Sequence, residues 1–215
     1  MSPSRLDDWG SVGKDYKDKA TFVVGSRTVD EMVERLSAYT ELGDTLDVGC
    51  GPGYFSGLLA HRATRLVCTD ISPEMVRLAS AHLGDIPNAS VERADCCHLH
   101  YKEATFDTVS MCNLLHVVDD PLCALKEARR VLRPDGRLIV FDVTMYGMNA
   151  LQRMAAGARY LRAFGLPPGG GRSALSPSLL RDWVESVGLR VIENETFGNP
   201  MRCIHLCATM AGRDA

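Results

Sequence analysis

The run Leu46-Asp47-Val48-Gly49-Cys50-Gly51-Pro52-Gly53 sets three alternate glycines directly behind a short apolar segment, and a carboxylate, Asp70, follows Gly49 by 21 residues. A corner without Cβ atoms lets a ligand approach the backbone closely, or lets the chain take up positive φ. A carboxylate at the end of the next strand offers two oxygens to a pair of ribose hydroxyls. Together these are the requirements of a bound nucleoside. The general form is a βαβ unit whose glycine turn opens a helix and whose acid lies roughly 20 residues on. Arg65-Leu66-Val67-Cys68-Thr69 is the strand that carries the acid here. The spacing departs from a pyrophosphate seat, which sets its third glycine five positions after the first; Tyr54 stands at that place.

Ligands of open α/β sheets bind beyond the carboxyl ends of the strands, where the strand order switches. Ala94-Asp95-Cys96 follows the third expected strand and Asn113 the fourth, so both belong with the glycine corner and Asp70. Cys96-Cys97-His98-Leu99-His100 is dense in soft ligands but lacks the C-x2-C pairs of structural zinc sites, and no metal is expected.

The elements that must position these residues follow from the pattern. Residues 1–27 read as a mobile arm or lid. Thr28-Val29-Asp30-Glu31 reads as a capping box on a helix with Val29, Met32, Val33 and Leu36 on one face. After the corner, Phe55, Leu58 and Leu59 keep helical spacing. Ser72-Pro73, Asp120-Pro121 and Ser176-Pro177 each pair a capping side chain with proline at the first helical position. Strands are expected at 89–93, 106–112 and 137–143, with Pro134-Asp135-Gly136 turning the chain into the last. Such alternation gives a parallel sheet with helices on both faces. The final two strands are joined only by Phe197-Gly198-Asn199-Pro200, too short for a parallel crossover, so they must pair antiparallel. Pro167-Pro168-Gly169-Gly170-Gly171 reads as a flexible loop.

The D-x-G-C-G-x-G run at 47–53, together with Val131-Leu132-Arg133-Pro134-Asp135-Gly136 before the fifth strand, resembles the class I S-adenosylmethionine-dependent methyltransferases of small-molecule type, related to quinone-biosynthesis C-methyltransferases. The resemblance is close over residues 44–143 and holds in outline elsewhere. It implies a Rossmann-like three-layer α/β/α sandwich whose seven-stranded, mostly parallel sheet has one antiparallel strand near the C-terminus. It also implies S-adenosyl-L-methionine as cofactor. Gly49, Gly51 and Gly53 would lie along its methionine and ribose portions and Asp47 near its amino group. Asp70 would hold the ribose, Ile71 would pack on the adenine, and Asp95 would accept from the exocyclic amine. The Cys96 N–H would bond a ring nitrogen and the Asn113 carbonyl would meet the amino group. His116, three residues after Asn113, is the candidate base or substrate-positioning residue; the alternative is a histidine that only shapes the pocket or caps the neighbouring helix. No Asn/Asp-Pro-Pro-aromatic segment follows the fourth strand, which argues against a nucleic-acid amino-methyltransferase.

Within this frame, residues 28–215 form a single methyltransferase domain, with 144–175 as a substrate-cap insertion. The cap carries Met145, Tyr146, Met148, Met154, Tyr160 and Phe164 among Arg153, Arg159 and Arg162. A length of 215 residues suits one α/β domain but leaves no second half for a dehydrogenase. The formal net charge of −3 provides no electrostatic footprint for nucleic acid. No run approaches the roughly 20 apolar residues of a membrane span, and no secretory signal begins the chain. A cytoplasmic protein with eight reduced cysteines, acting on a small molecule as a monomer or homodimer, is therefore expected. A non-catalytic binding or regulatory protein on the same fold is the competing reading.

Overall fold

The computed structural model describes residues 16–165 and 175–210. The chain runs α1 (Tyr16–Val24), α2 (Ser26–Ser37), β1 (Gly43–Val48), α3 (Ser56–Ala60), β2 (Ala63–Asp70), α4 (Pro73–Leu83), β3 (Ala89–Arg93), β4 (Phe106–Cys112), α5 (Pro121–Val131), β5 (Leu132–Thr144), α6 (Ala150–Phe164), α7 (Pro177–Ser186), β6 (Leu189–Phe197) and β7 (Arg202–Met210). Seven strands form one sheet in the order β3-β2-β1-β4-β5-β7-β6. Only β7 runs against its neighbours, pairing antiparallel with both β5 and β6. The chain builds outward from β1 through β2 to β3, then returns to lay β4 on the other side of β1. That reversal opens a crevice beyond the carboxyl ends of β1 and β4.

Strand period sends successive side chains to opposite faces, and each face has its own helices. Leu46, Val48, Val109, Met111, Leu138 and Val140 pack with Leu125, Ala128, Leu180 and Val184 of α5 and α7. On the other face, Leu66, Cys68, Ile139 and Phe141 pack with Met32 and Leu36 of α2, Leu59 of α3 and Leu83 of α4. Each large apolar side chain so buried contributes ~2 kcal/mol, so a sheet filled on both faces holds its strand ends rigidly. Ser72, Asp120 and Ser176 cap α4, α5 and α7 as expected, accepting from Met75, Cys123 and Leu179 N–H groups respectively.

Three local expectations are corrected. The expected capping box at Thr28 does not form, because α2 begins at Ser26 and Thr28 is fully buried inside it. Its hydroxyl donates to the Met201 carbonyl at 3.0 Å and accepts from the Asn199 N–H at 3.0 Å, tying α2 to the β6–β7 turn. The second correction is at β5. Leu132 already pairs with Phe106, and the next partners are Thr108 and Arg137, so residues 133–136 loop out of a strand that has begun. Arg133 holds that loop through Asp107 at 2.6 Å and Asp44 at 3.0 Å.

The third concerns the N-terminal arm. From Tyr16 onward it is helical, and α1 packs against α6, with Val23 and Val24 buried beside Met148 and Ala156. The apolar residues of the expected cap insertion divide: Met148 and Ala156 point inward, whereas Leu151, Met154 and Leu161 are exposed. The expected proline-glycine loop at 167–171 lies outside the described residues. Among the described residues no helix is long and apolar enough to cross a membrane.

Thr28→Val keeps the shape of a buried side chain but leaves the Met201 carbonyl and Asn199 N–H without their partner. It should lower the free energy of unfolding by ~1–3 kcal/mol in urea titrations, while Thr28→Ser should lose less. Equal stability of wild type and Thr28→Val would show that this tether carries no weight.

Candidate functional site

The corner after β1 is built by conformation. Gly49 and Gly51 have φ of 69° and 55°, the left-handed region that disfavours side chains. A Cβ on Gly49 would stand 2.5 Å from Leu114 Cδ1, so the start of the segment after β4 packs directly under the corner. A Cβ on Gly51 would meet nothing within 4 Å, because that residue faces open space. The corner is then tied to β2: the Cys50 N–H donates to the Thr69 carbonyl at 2.9 Å, and the Gly51 N–H to Asp70 Oδ2 at 2.9 Å. Ser72 N–H donates to the other oxygen, Oδ1, at 2.9 Å. Asp70 is thus fixed by two backbone donors, and its remaining lone pairs stay available to a ligand. Burial raises its carboxyl above the ordinary value, against the opposing pull of the Ser72 and Gly51 backbone donors.

An apolar cavity lies over this corner. Its floor is Gly49, Cys50, Gly51, Asp70 and Ile71; Ala94, Cys96 and Asn113 close the strand-end side, and α1 forms a wall through Ala20, Thr21 and Val24. Of the residues singled out in the sequence, Gly49, Gly51, Asp70, Ile71, Cys96 and Asn113 line it. Gly53, Asp47, Asp95 and His116 do not. Asn113 itself takes φ of 56°, and its buried Oδ1 has no hydrogen-bond partner among the described residues. The lining thiols are poor nucleophiles: burial pushes Cys96 up to about 11 and raises Cys112 further, and Cys50 is raised by its hydrogen bond with Cys68 and by burial.

Asp47 sits beneath the corner. Its Oδ2 accepts from the Ser56 hydroxyl at 2.6 Å, while Oδ1 is buried and has no partner among the described residues. Burial pushes its carboxyl up from 3.8 to about 6. Asp95 lies in the turn after β3, beside the lining residues Ala94 and Cys96, and its Oδ1 accepts from the Cys97 N–H at 2.9 Å.

His116 is flanked by cavity residues, Leu114 before it and Val117 after it. Its Nδ1 is 2.5 Å from Asp142 Oδ1. The Asp142 side chain is wholly buried at the end of β5, and its Oδ2 also accepts from the N–H groups of Leu115 at 2.8 Å and His116 at 3.3 Å. A carboxylate on Nδ1 holds the proton there and leaves Nε2 as the basic atom. Asp142 escaped the sequence reading. The available signal was an acid directly following Leu138-Ile139-Val140-Phe141, since a charge in a strand buried on both faces must be paired.

Residues 46–140 match the family described as "Methyltransferase domain". The chain is 30% identical over 152 residues to a ubiquinone biosynthesis O-methyltransferase of Coxiella burnetii, covering 69% of this chain and 64% of the relative. It is 31% identical over 181 residues to a malonyl-[acyl-carrier protein] O-methyltransferase of Hahella chejuensis, covering 76% of this chain and 64% of the relative. The chain therefore spans just under two thirds of the length of these relatives. Among solved structures, a SAM-dependent methyltransferase from Aquifex aeolicus superimposes with a TM-score of 0.65 at 17% identity, covering 98% of this chain and all of that one, a likeness of fold.

Asp47 provides a measurable signature of the site. A carboxyl raised in the folded state favours folding fully below its ordinary value of 3.8, and that contribution is lost as pH rises through about 6. Without ligand near pH 7.5, Asp47→Asn should therefore resist urea better than wild type by ~1–3 kcal/mol. The gap should close as pH falls from about 6 towards 4. A gap independent of pH would mean that Asp47 titrates normally in the folded chain.

Proposed function

We propose that the chain is a class I S-adenosylmethionine-dependent methyltransferase that transfers the cofactor's methyl group to a hydroxyl of a small molecule, a reading supported by the methyltransferase-domain match over residues 46–140 and by the methyltransferase relatives. The observation that carries this reading is the open, positive-φ Gly51 beside an Asp70 already clamped by two backbone donors, facing an apolar cavity. Bound there, the cofactor supplies an electrophilic sulfonium methyl. The described residues fit it. Asp70 has lone pairs for the two ribose hydroxyls, Ile71 offers an apolar face to adenine, and the Cys96 N–H and Asp95 carboxylate are a donor and an acceptor for its edge. The Asn113 carbonyl and the glycine corner suit the amino-acid portion. The unpartnered Asp47 Oδ1 supports a supplementary role, in which its negative charge favours the ammonium from beneath the floor.

Methyl transfer from a sulfonium needs chiefly an acceptor held in line, and a base only where a proton must leave. The His116–Asp142 pair supports an acceptor of that kind. His116 Nε2 takes the hydroxyl proton as the oxygen attacks, and Asp142 keeps Nδ1 protonated and stabilises the imidazolium that results. The O-methyltransferase names of the relatives agree with an oxygen acceptor. The apolar wall formed by α1, together with α6 packed behind it, suits a largely apolar acceptor, and it is consistent with a lid over residues 1–27 and a cap over 144–175.

Calorimetry with S-adenosylhomocysteine should give stoichiometric binding, weakened roughly 10- to 100-fold by Asp70→Ala through loss of hydrogen bonds to a charged group. Undiminished affinity in Asp70→Ala would overturn the cofactor reading. Against a panel of hydroxyl-bearing metabolites, His116→Gln should lower kcat by roughly 100-fold or more without changing affinity for S-adenosylhomocysteine. Asp142→Asn should lower kcat and shift the pH profile of kcat, as expected of a residue that acts through His116. Cofactor binding with no turnover on any acceptor would favour the non-catalytic binding protein instead.

A further inference from the structure

The connection between β3 and β4 folds back on itself at the rim of the cavity. Asp95 and His98 form an antiparallel bridge, with the His98 N–H donating to the Asp95 carbonyl at 2.9 Å. The turn brings a carboxylate oxygen of Asp95 and the sulfurs of Cys96 and Cys97 within 4.8 Å of one another. Among the described residues it is the one place where three potential metal-ligating side chains converge so closely. A further thiol arrives from a separate element. Cys123, in the first turn of α5, donates its thiol to the Cys97 carbonyl at 3.7 Å, and the Cys97 thiol donates to the carbonyl of Asp120, the cap of the same helix, at 3.8 Å, so the two residues are tied together. His98 Nδ1 lies 3.5 Å from Asp95 Oδ2, and its side chain is mostly exposed, so the cluster opens to solvent.

We propose that Asp95, Cys96, Cys97 and Cys123 form a site for a thiophilic dication of the zinc type, and that its occupation opposes cofactor binding. Three sulfurs and one carboxylate oxygen suit zinc rather than magnesium or calcium, which take oxygen ligands. Tetrahedral coordination with Zn–S bonds of ~2.3 Å sets sulfurs ~3.8 Å apart. The 4.8 Å spread among the Asp95, Cys96 and Cys97 donors is therefore closed by rotation of short thiol side chains with a slight contraction of the turn, and Cys123 joins by rotation of its thiol from the first turn of α5. Each coordinating thiol releases its proton to solvent as the metal binds.

The site is not a structural clip. The same turn is already held without metal, by the Cys97 N–H on Asp95 and by the Leu99 N–H donating to Glu127 Oε2 at 2.9 Å. Its antagonism to the cofactor follows from shared residues. Cys96 lines the cavity, and Asp95 is the proposed acceptor for the adenine edge, so a metal drawing both inward withdraws the groups that would read the base. The antagonism rests on the proposed function; the metal site does not.

The test is calorimetric titration of Zn²⁺ alone into the reduced, metal-free chain, followed by S-adenosylhomocysteine titration with and without saturating Zn²⁺. One equivalent should bind. Cys97→Ser and Cys123→Ser should each weaken it roughly tenfold or more, since losing a direct ligand costs at least as much as losing an outer-shell partner, while Cys50→Ser should not. Zinc should lower the apparent S-adenosylhomocysteine affinity by roughly tenfold or more. Retained S-adenosylhomocysteine binding by the Cys97 and Cys123 variants in the absence of zinc establishes that they fold. Substoichiometric zinc, or wild-type zinc affinity in both variants, overturns the site. Zinc bound there with S-adenosylhomocysteine affinity unchanged overturns the antagonism. Failure of S-adenosylhomocysteine to bind metal-free protein would instead count against the proposed function, and the zinc titration would still decide the site.

Discussion

The hydrogen bond from the Gly51 N–H to Asp70 joins the two halves of the proposed ligand seat, and it exists only because the backbone at Gly49 and Gly51 can adopt positive φ. Without that conformation the corner would not turn the Gly51 N–H towards the end of β2. Two further contacts make the arrangement rigid. The Cys50 N–H bonds the Thr69 carbonyl, and Leu114 fills the space where a side chain on Gly49 would stand. The second contact also couples the corner to the segment that carries His116. One close approach therefore aligns the seat with the candidate base, using β1 and its neighbours β2 and β4 as a common frame.

The two buried acids beneath and beside the cavity differ in how they are compensated. Asp142 accepts from the His116 ring and two backbone N–H groups, so its charge is well satisfied despite complete burial. Asp47 has the Ser56 hydroxyl on one oxygen and no partner on the other among the described residues. A buried, partly satisfied carboxylate costs stability. Its place below the cavity adds a second negative charge to that of Asp70 in the lining, which a bound cation would relieve. Fold and site thus pull against each other at Asp47 and reinforce each other at Asp142.

Where the sequence reading departed from the structure, a contact distant in sequence was responsible. Thr28 and Glu31 satisfy the spacing of a capping box, but the partners of the Thr28 hydroxyl lie more than 170 residues away, and they draw Thr28 into the helix interior. The polar, mixed-charge segment before Thr28 resembles a free arm until Val23 and Val24 find Met148, just before α6, and Ala156 within it. Pro134-Asp135-Gly136 does turn the chain, yet the turn falls inside β5 because Leu132 already pairs with Phe106. Local propensity was correct at Ser72, Asp120 and Ser176, where the interaction that decides the boundary is itself local.

The order of the strands, the helices capped at Ser72, Asp120 and Ser176, the glycine corner and the acid at the end of β2 were legible in the chain alone, because period, capping and positive-φ requirements act over a few residues. So was the reversed final strand, since four residues cannot span a parallel crossover. Only the folded chain revealed which of the candidate residues share a cavity, that Asp142 completes a pair with His116, and that Cys123 reaches the thiols at 96 and 97. These depend on which strand ends and helix turns come to lie side by side. Such neighbours are chosen by burial of both faces of the sheet, a property of all its elements together and of no single segment.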